Sequence, residues 1–247
     1  VPLGDIVHAG RSTQLEMKNV YAMEKNDYTR HCLIIGITGG GKTNTSKSLL
    51  RTLWCQNVQE RIPFLVIESA KRDYWELRNL EQFEDLMVYT LGSEDPQKAV
   101  RYRLNPFETL PGISLQSHID LLLATFKTAF EMYPPMPYVL ETAVYEVYKD
   151  RGWDIVTNQN RFGFTQYPTL SDLYDKIGYT VSCMGYDKEV SSNIQSALEA
   201  RINSMMIGGK GAMLNTSKSI PIESLLSYPT VLELEDIGDD ETKSFVI

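Results

Sequence analysis

The sequence predicts an α/β fold in which a mainly parallel sheet is flanked by helices and interrupted by a mostly helical insertion. Three observations support this prediction. A glycine-rich turn stands between an apolar run at 32–35 and a helical pattern; further apolar runs follow at 62–69 and 86–92; and apolar residues recur at helical spacing over 114–207. Continuous apolar runs of this length are typical of parallel strands with helices on both faces.

The first half of the chain supplies a strand, a helix and a second strand. "CLII" at 32–35 is predicted to be a strand, "LLRTLWCQ" at 49–56 a helix, and "IPFLVIES" at 62–69 a strand covered on both faces. "LMVYTLG" at 86–92 predicts a third strand. "VRYRLNPFETLPG" at 100–112 is predicted to begin as an alternating strand and to be broken by its prolines.

The second half is mostly helical. Apolar spacing predicts a helix pair over 119–147, interrupted by "EMYPPMP", and a longer helix over 190–205 that "IGGKG" ends. Thr169 stands three residues before Asp172, which predicts the capped start of another helix. "TVLELEDIG" then predicts a returning strand with one polar face, and "DDETKSFVI" predicts the first turns of a helix.

This order of elements predicts a division into three segments. Residues 1–112 are expected to form the first part of a core domain, residues 113–215 a helical insertion, and residues 216–247 a truncated return to the core.

Composition limits the functional classes. No apolar run approaches the roughly 20 residues of a membrane span. The three cysteines are odd in number and widely spaced, which argues against a disulfide framework and favours a reducing cytoplasm. A net charge of −8 opposes a freestanding nucleic-acid binder, but it does not oppose a ring that is basic only along its channel. We therefore expect a soluble cytoplasmic protein with no membrane partner.

The strongest motif is the segment "IIGITGGGKTNT". Residues 36–43 fit G-x-x-x-x-G-K-[ST] without a mismatch, between a predicted strand and helix, which predicts a P-loop NTPase of the RecA-like class. Lys42 is expected to reach the β and γ phosphates of ATP, and the Thr43 hydroxyl to hold Mg²⁺. The predicted nucleotide contacts are Gly36, Thr38, Gly39, Gly40, Gly41, Lys42, Thr43 and Asn44.

The sequence does not decide which acidic residue would position the attacking water. Glu68 ends the second strand at the sheet edge where open α/β sheets bind ligands, so it is a candidate to orient water. A surface acid paired with Lys71 or Arg72 fits the same spacing. Glu235 or Asp236, after the last strand, is the other candidate.

Several other polar residues have ordinary explanations. Arg201 and Lys210 could contact phosphate or nucleic acid, although a lone arginine on an amphipathic helix usually belongs to a solvated face. Tyrosines at 133, 138, 145 and 148 could stack bases, but aromatic residues at helical spacing are more often core or interface residues. The three histidines are scattered, which supports neither a metal site nor a hydrolase triad.

Six segments resemble, in content and order, the HerA-like ATPases of the HerA/FtsK superfamily: "VPLGDIVHAG", "RHCLIIGITGGGKTNT", "IPFLVIESAKRDYWEL", "LNPF", "PTLSDLYDKI" and "RINSMMIGGKGAMLN". The resemblance spans nearly the whole chain. The Arg-His pair before the P-loop strand and the "PFLVIE" strand after it are more specific to this family than the P-loop itself.

The resemblance implies a hexameric ring that hydrolyses ATP between subunits and drives double-stranded DNA through its channel, beside a nuclease or another effector. Arg30 matches the arginine that senses nucleotide, and Glu68 occupies an acidic second-strand position where Asp is common in HerA itself. With Lys42 these are the expected catalytic residues. The family's N-terminal barrel, Walker B acid and arginine finger are expected outside the present chain, the last two beyond Ile247.

Two alternatives remain open on the sequence alone. A secretion or conjugation ATPase of the same superfamily, whose ring moves protein or assembles a channel, fits "IPFLVIESAK" and "RINSMMIGGKG" nearly as well. A nucleotide-gated scaffold that organises an effector without moving anything fits the acidic composition.

Overall fold

The structure is a computed structural model, and it describes residues 2–5, 20–22, 24–55, 60–93, 102–163 and 166–247. The strands are β1 Pro2–Asp5, β2 Val20–Ala22, β3 Leu65–Glu68, β4 Met87–Thr90, β5 Trp153–Asp154, β6 Gln159–Asn160 and β7 Thr230–Glu233. The α-helices are α1 Lys42–Trp54, α2 Leu115–Ala129, α3 Met136–Asp150, α4 Leu170–Cys183, α5 Lys188–Met206, α6 Gly208–Leu214, α7 Ile222–Ser227 and α8 Asp240–Val246. Short 3₁₀ helices occupy Lys25–Thr29, Asp73–Asn79 and Glu81–Phe83.

A three-stranded sheet has the strand order β3-β7-β4, while β1 with β2 and β5 with β6 form antiparallel pairs. Four backbone N–H groups in the sheet donate to carbonyls that advance in the same direction as the donors: Thr230 to Phe64 (2.8 Å), Leu234 to Glu68 (2.9 Å), Met87 to Pro229 (2.9 Å) and Leu91 to Glu233 (2.8 Å). The strands are therefore parallel. This confirms the predicted α/β class with a mainly parallel sheet flanked by helices.

The central strand β7 differs from its prediction. All four of its residues are buried, and Glu233 is fully enclosed, with the Thr90 hydroxyl donating to Glu233 Oε2 at 3.4 Å. The expected polar face is therefore wrong, because side chains on both faces of this strand are covered. The edge strand β3 shows the opposite error: Ile67 is 47% exposed, although the apolar run predicted cover on both faces.

Two predicted strands are wrong. Residues 31–37 form no strand, and Leu33, Ile35 and Ile37 expose 82%, 79% and 82% of their surface. A strand needs a neighbour for its backbone hydrogen bonds, and no described strand pairs with this segment. Residues 102–112 also form no strand; their main-chain bonds join Leu104 N to Met213 O and Ile220 N to Arg103 O, outside any sheet. The first two residues of that prediction, 100 and 101, lie outside the described residues.

The chain divides into two compact units, and the first comprises residues 1–66, 72–87 and 223–231. Helix α1 is anchored in it at its C-terminal end. Trp54 is buried, its Nε1 donates to the Gln82 carbonyl at 3.0 Å, and the guanidinium of Arg61 lies 4.9 Å from its ring centroid. Nearer the helix start, Lys47 Nζ lies 2.6 Å from Glu76 Oε2. These contacts fix the helix whose other end follows the glycine loop.

The second unit comprises residues 67–71, 88–222 and 232–247 and is mainly helical. Helix α3 packs on α4, α4 on α5, and α2 on α8. Tyr148 is fully buried on α3 and donates its hydroxyl to the Phe107 carbonyl at 2.7 Å. The helix pair, the capped helix and the long helix expected from periodicity are all confirmed. The predicted segment boundaries at 112 and 215 stay a prediction.

The start of α4 has the predicted capping box. The Thr169 side chain accepts from Asp172 N, and Asp172 Oδ2 accepts from Thr169 N at 2.8 Å. Arg151 Nη2 also donates to Asp172 Oδ1 at 2.7 Å. Burial would raise the pKa of Asp172, but the hydrogen bonds from Arg151 and Thr169 hold that pKa below its usual value.

The glycines of "IGGKG" do more than end a helix. Helix α5 ends at Met206, as predicted, and α6 begins at Gly208. A Cβ at Gly209 would lie 2.0 Å from the carbonyl oxygen of Gly92, which follows β4. Only a residue without a side chain fits this contact between two main chains.

Candidate nucleotide site

The glycine loop bends sharply into α1. Gly39 and Gly41 have φ angles of 78° and 84°, in the left-handed region where glycine is favoured, and Gly40 N donates to the Ile37 carbonyl at 3.1 Å. Gly41 is the N-cap of α1 and offers no side chain to it. The first N–H groups of the helix therefore lack a side-chain acceptor and can bind an anion.

Lys42 lies across this loop. Its Nζ donates to the carbonyls of Gly36 and Ile37, both at 2.9 Å, so these bonds hold the ammonium over the turn at an exposed site. A lysine with three donors can exchange such carbonyls for phosphate oxygens. This geometry fits the predicted role of Lys42.

The donor set of the loop also fits a nucleotide with its metal ion. Thr43 is half-buried in the first turn of α1, and its hydroxyl oxygen is a hard ligand of the kind Mg²⁺ prefers. An added Cβ at Gly39 or Gly41 would meet nothing within 4 Å, so the space around the loop is open. Phosphate oxygens would be bound by the N–H groups and Lys42, and the metal ion by Thr43.

A cavity of about 580 Å³ lies in the same unit as the loop. One side is formed by residues just before the loop, among them Tyr28, Arg30, Cys32 and Ile34. The other side is formed by α1 residues that directly follow the loop: Asn44, Thr45, Ser48 and Leu49. Arg30, an exposed residue, is thus on the same cavity as Asn44, one of the predicted nucleotide contacts.

Comparison with known proteins assigns residues 7–247 to the family described as "Helicase HerA, central domain". The chain belongs to this family. The fold is similar to that of VirB4 of Thermoanaerobacter pseudethanolicus, with a TM-score of 0.54 and 21% identity over 84% of this chain and 51% of that one. The chain thus spans about half the length of that structure. A search of curated proteins found no match.

Membership of the HerA central-domain family confirms the predicted P-loop NTPase fold and places the chain in the HerA class of ATPases. Within the described part of this HerA-type domain, no helix has the length and apolar character of a membrane span. The same residues contain no group of three histidine, cysteine or acidic side chains placed to hold a metal ion.

The structure shows where the acidic residues considered for orienting water lie in this HerA-type domain, but it does not show which of them has that role. Glu68 ends β3 in the second unit, with its Oε2 buried and its carbonyl accepting from Leu234 N. Its role in orienting water stays a prediction. Glu235 and Asp236 are exposed in the turn after β7.

Two basic residues considered for phosphate or nucleic acid have structural partners in this HerA-type domain. Arg201 donates to the carbonyls of Ala197 and Glu131, at 2.7 and 2.9 Å. Lys210 Nζ lies 2.6 Å from Asp239 Oδ2. Burial would raise the pKa of Asp239, but the hydrogen bonds from Lys210 and Thr242 lower it. The ordinary explanations of both residues fit these contacts.

Sequence reasoning missed the cavity beside the loop. Its signals were present but weak: the cavity residues Cys32 and Ile34 are two positions apart in the segment before the loop, and Asn44 and Ser48 lie four residues apart on α1. No pattern within either segment shows that the two face each other. Among the tyrosines considered for base stacking, Tyr148 is a core residue, while Tyr133 and Tyr138 are exposed.

Proposed function

We propose that the protein is the ATP-binding and hydrolysing subunit of a HerA-like ring motor that moves double-stranded DNA. The observation that supports the proposal most directly is the lysine-bridged glycine loop at the start of α1, in a chain of the HerA central-domain family. The proposal includes a homo-hexamer, Mg²⁺ as the metal ion, a nuclease or other effector as partner, and action in the cytoplasm.

The bound nucleotide and its metal ion would supply the phosphoryl group and charge neutralisation. The chain's own residues would do the rest. The N–H groups at the start of α1 would bind phosphate oxygens, and Lys42 would leave the carbonyls of Gly36 and Ile37 to donate to them. Thr43 would position the metal ion, Arg30 would respond to charge that develops at the phosphates, and Glu68 would orient water.

The decisive experiment measures ATP turnover by the full-length protein, from steady-state phosphate release, with and without double-stranded DNA. We expect turnover to rise at least severalfold with DNA, and the stimulation to fall steeply as salt is raised, because phosphate contacts release counterions. A 20-mer of single-stranded DNA and a matched polyanion such as heparin serve as controls. Equal stimulation by heparin would contradict a DNA motor.

The same measurement also tests a second candidate function, a nucleotide-gated scaffold. The net charge of −8 favours this candidate. A ring that assembles with ATP, seen by light scattering, without any effect of DNA on turnover would establish that scaffold, or the secretion and conjugation branch, in place of the motor.

Arg30 gives a separate prediction. Arg30→Ala should leave ATP affinity within a few-fold of wild type and lower kcat at least tenfold, because an arginine that responds to developing charge acts mainly in the transition state. Calorimetry and single-turnover hydrolysis measure the two quantities. Arg51→Ala removes an exposed arginine of α1 that is not among the described cavity residues, so it controls for net charge. A kcat within about twofold of wild type would return Arg30 to the class of surface residues.

A further inference from the structure

The second unit carries an exposed apolar surface formed by two loops. The first loop, residues 109–114, leads into α2 and exposes the side chains of Leu110 and Ile113. The second is the turn between β5 and β6, where Val156 is 95% exposed. Single exposed apolar residues are common on proteins, but apolar side chains grouped on adjoining loops mark interaction surfaces. We call residues 109–114 and 155–158 the two-loop patch.

Two sets of contacts hold the loops of the patch together. Asn158 Oδ1, in the hairpin turn, accepts from Leu115 N at 2.8 Å, where the first loop ends. The hydroxyl of Thr109, where that loop begins, lies 2.8 Å from the hydroxyl of Tyr167. The ring of Tyr167 in turn stacks on Trp153 of β5, with 4.8 Å between the ring centroids. The two loops therefore form one surface.

Each loop is also fixed by hydrogen bonds of its own. Ile113 N donates to the Leu110 carbonyl at 3.1 Å, which closes a turn in the first loop. In the hairpin, Asp154 Oδ1 accepts from Val156 N at 2.9 Å and from Thr157 N at 3.0 Å. An ordered loop has less conformational entropy to lose when it binds a partner. The patch is thus prepared for docking.

The two-loop patch lacks charge in a protein that is strongly acidic. Residues 109–117 and 155–160 contain no Asp, Glu, Lys or Arg, although these types make up 23% of the sequence. The hairpin turn is bordered by one acid, Asp154, and one base, Arg161. A net charge of −8 makes two copies of the chain repel each other as they approach. An uncharged apolar surface adds least to that repulsion and gains most from burial.

The charge distribution selects the occupant of the patch. A basic partner protein would be attracted to acidic side chains, and nucleic acid to clustered lysines and arginines, and the patch has neither. We propose that the two-loop patch is a contact between copies of this chain, in which Val156, Leu110 and Ile113 pack against a second copy. The inference rests on the homo-oligomer included in the proposed function and gives that oligomer a contact surface.

A charge placed in the patch tests the contact. Sedimentation velocity of the full-length protein over a concentration series, with and without the non-hydrolysable analogue AMP-PNP, measures association. Val156→Asp should weaken association at least tenfold, because the contact would bury an unpaired carboxylate. Val156→Leu keeps an apolar side chain at this exposed position, so its association should stay within about threefold of wild type.

Val190→Asp is the matched control, because it makes the same substitution at an exposed valine outside the patch. Val190 lies in the first turn of α5, where a carboxylate is favourable to the helix. Association of this variant should stay within about twofold of wild type, since exposed substitutions away from a contact have small effects. Circular dichroism melts confirm that each variant is folded.

Cross-linking identifies what the patch touches. The photoreactive residue p-benzoylphenylalanine is placed at position 156 in the full-length protein, and ¹⁴N- and ¹⁵N-labelled copies are mixed before irradiation. We expect cross-linked peptides that combine the two labels, as seen by mass spectrometry. Cross-links that combine only peptides of one label would show that position 156 does not face a second copy.

The outcomes separate this contact from the proposed function. If the wild-type protein stays monomeric at every concentration, with and without AMP-PNP, the homo-oligomer fails and the contact fails with it, whereas DNA-stimulated ATP turnover is judged by its own assay. If the wild type associates but Val156→Asp associates equally well, or loses no more than Val190→Asp, the copies meet elsewhere. In that case only the two-loop contact is overturned.

Discussion

Lys42→Ala should lower the affinity for Mg-ATP by about 30-fold or more while the protein remains folded. The ammonium of Lys42 donates only to two carbonyls of its own loop, at 2.9 Å each, so its removal opens no core contact. Charge-assisted hydrogen bonds to phosphate in a partly desolvated site are worth about 2 kcal/mol or more, which corresponds to that loss of affinity. Isothermal titration calorimetry measures the change directly.

Lys47→Ala is the matched control, because Lys47 lies on the same helix and pairs instead with Glu76. Its loss removes the same charge and a single ion pair whose carboxylate is mostly exposed, so ATP affinity should stay within a few-fold. If both variants bind ATP as wild type does, residues 36–43 do not form a nucleotide-binding loop.

The second large effect is on stability. Gly209→Ala should lower the free energy of unfolding by about 1–3 kcal/mol, because the new methyl group would lie 2.0 Å from the carbonyl oxygen of Gly92 and the two main chains must separate. The direction of the change distinguishes a steric clash from helix propensity, because alanine inside a helix is normally about 1 kcal/mol more stable than glycine. Urea denaturation measures the loss of stability. Thermal unfolding provides a check, because each kcal/mol should lower the melting temperature by about 2–4 °C.

Gly238→Ala controls for the loss of glycine flexibility. A Cβ at Gly238 meets nothing within 4 Å, so this substitution should change stability by less than about 0.5 kcal/mol. A Gly209→Ala protein as stable as wild type would mean that the approach of α6 to Gly92 is looser than the structure shows.

Local patterns predicted the helices well and the strands less well. The periodicity around Ile119, Val139 and Ile194 reports which face of a helix is apolar, and that information lies within each helix. A strand, in contrast, depends on a neighbour that is distant in sequence. The sequence at 32–35 therefore does not show that this run lacks a described partner strand. The sequence around Glu233 likewise does not show that its strand is the central one.

The candidate site shows the same difference between features set by adjacent residues and features set by distant ones. The turn geometry at Gly39 and Gly41 and the position of Lys42 over the loop fit a motif read from the sequence, because loop and helix are adjacent along the chain. Their role in nucleotide binding stays a prediction. Tyr28 and Cys32 could not be placed from a motif, because their place on the cavity depends on how the preceding segment packs against α1. The contribution of Glu68 stays a prediction for the same reason.

The uncapped start of α1 has a consequence for evolution at position 41. An asparagine, aspartate or serine there would ordinarily stabilise the helix by about 1 kcal/mol, but its side-chain oxygen would occupy the same N–H groups that an incoming anion requires. The left-handed backbone of Gly41 also favours glycine, which adopts this region at no steric cost, over any residue with a side chain. If the loop binds a nucleotide as proposed, selection for stability of the empty protein and selection for nucleotide binding would oppose each other at this residue, and the nucleotide would supply the missing cap.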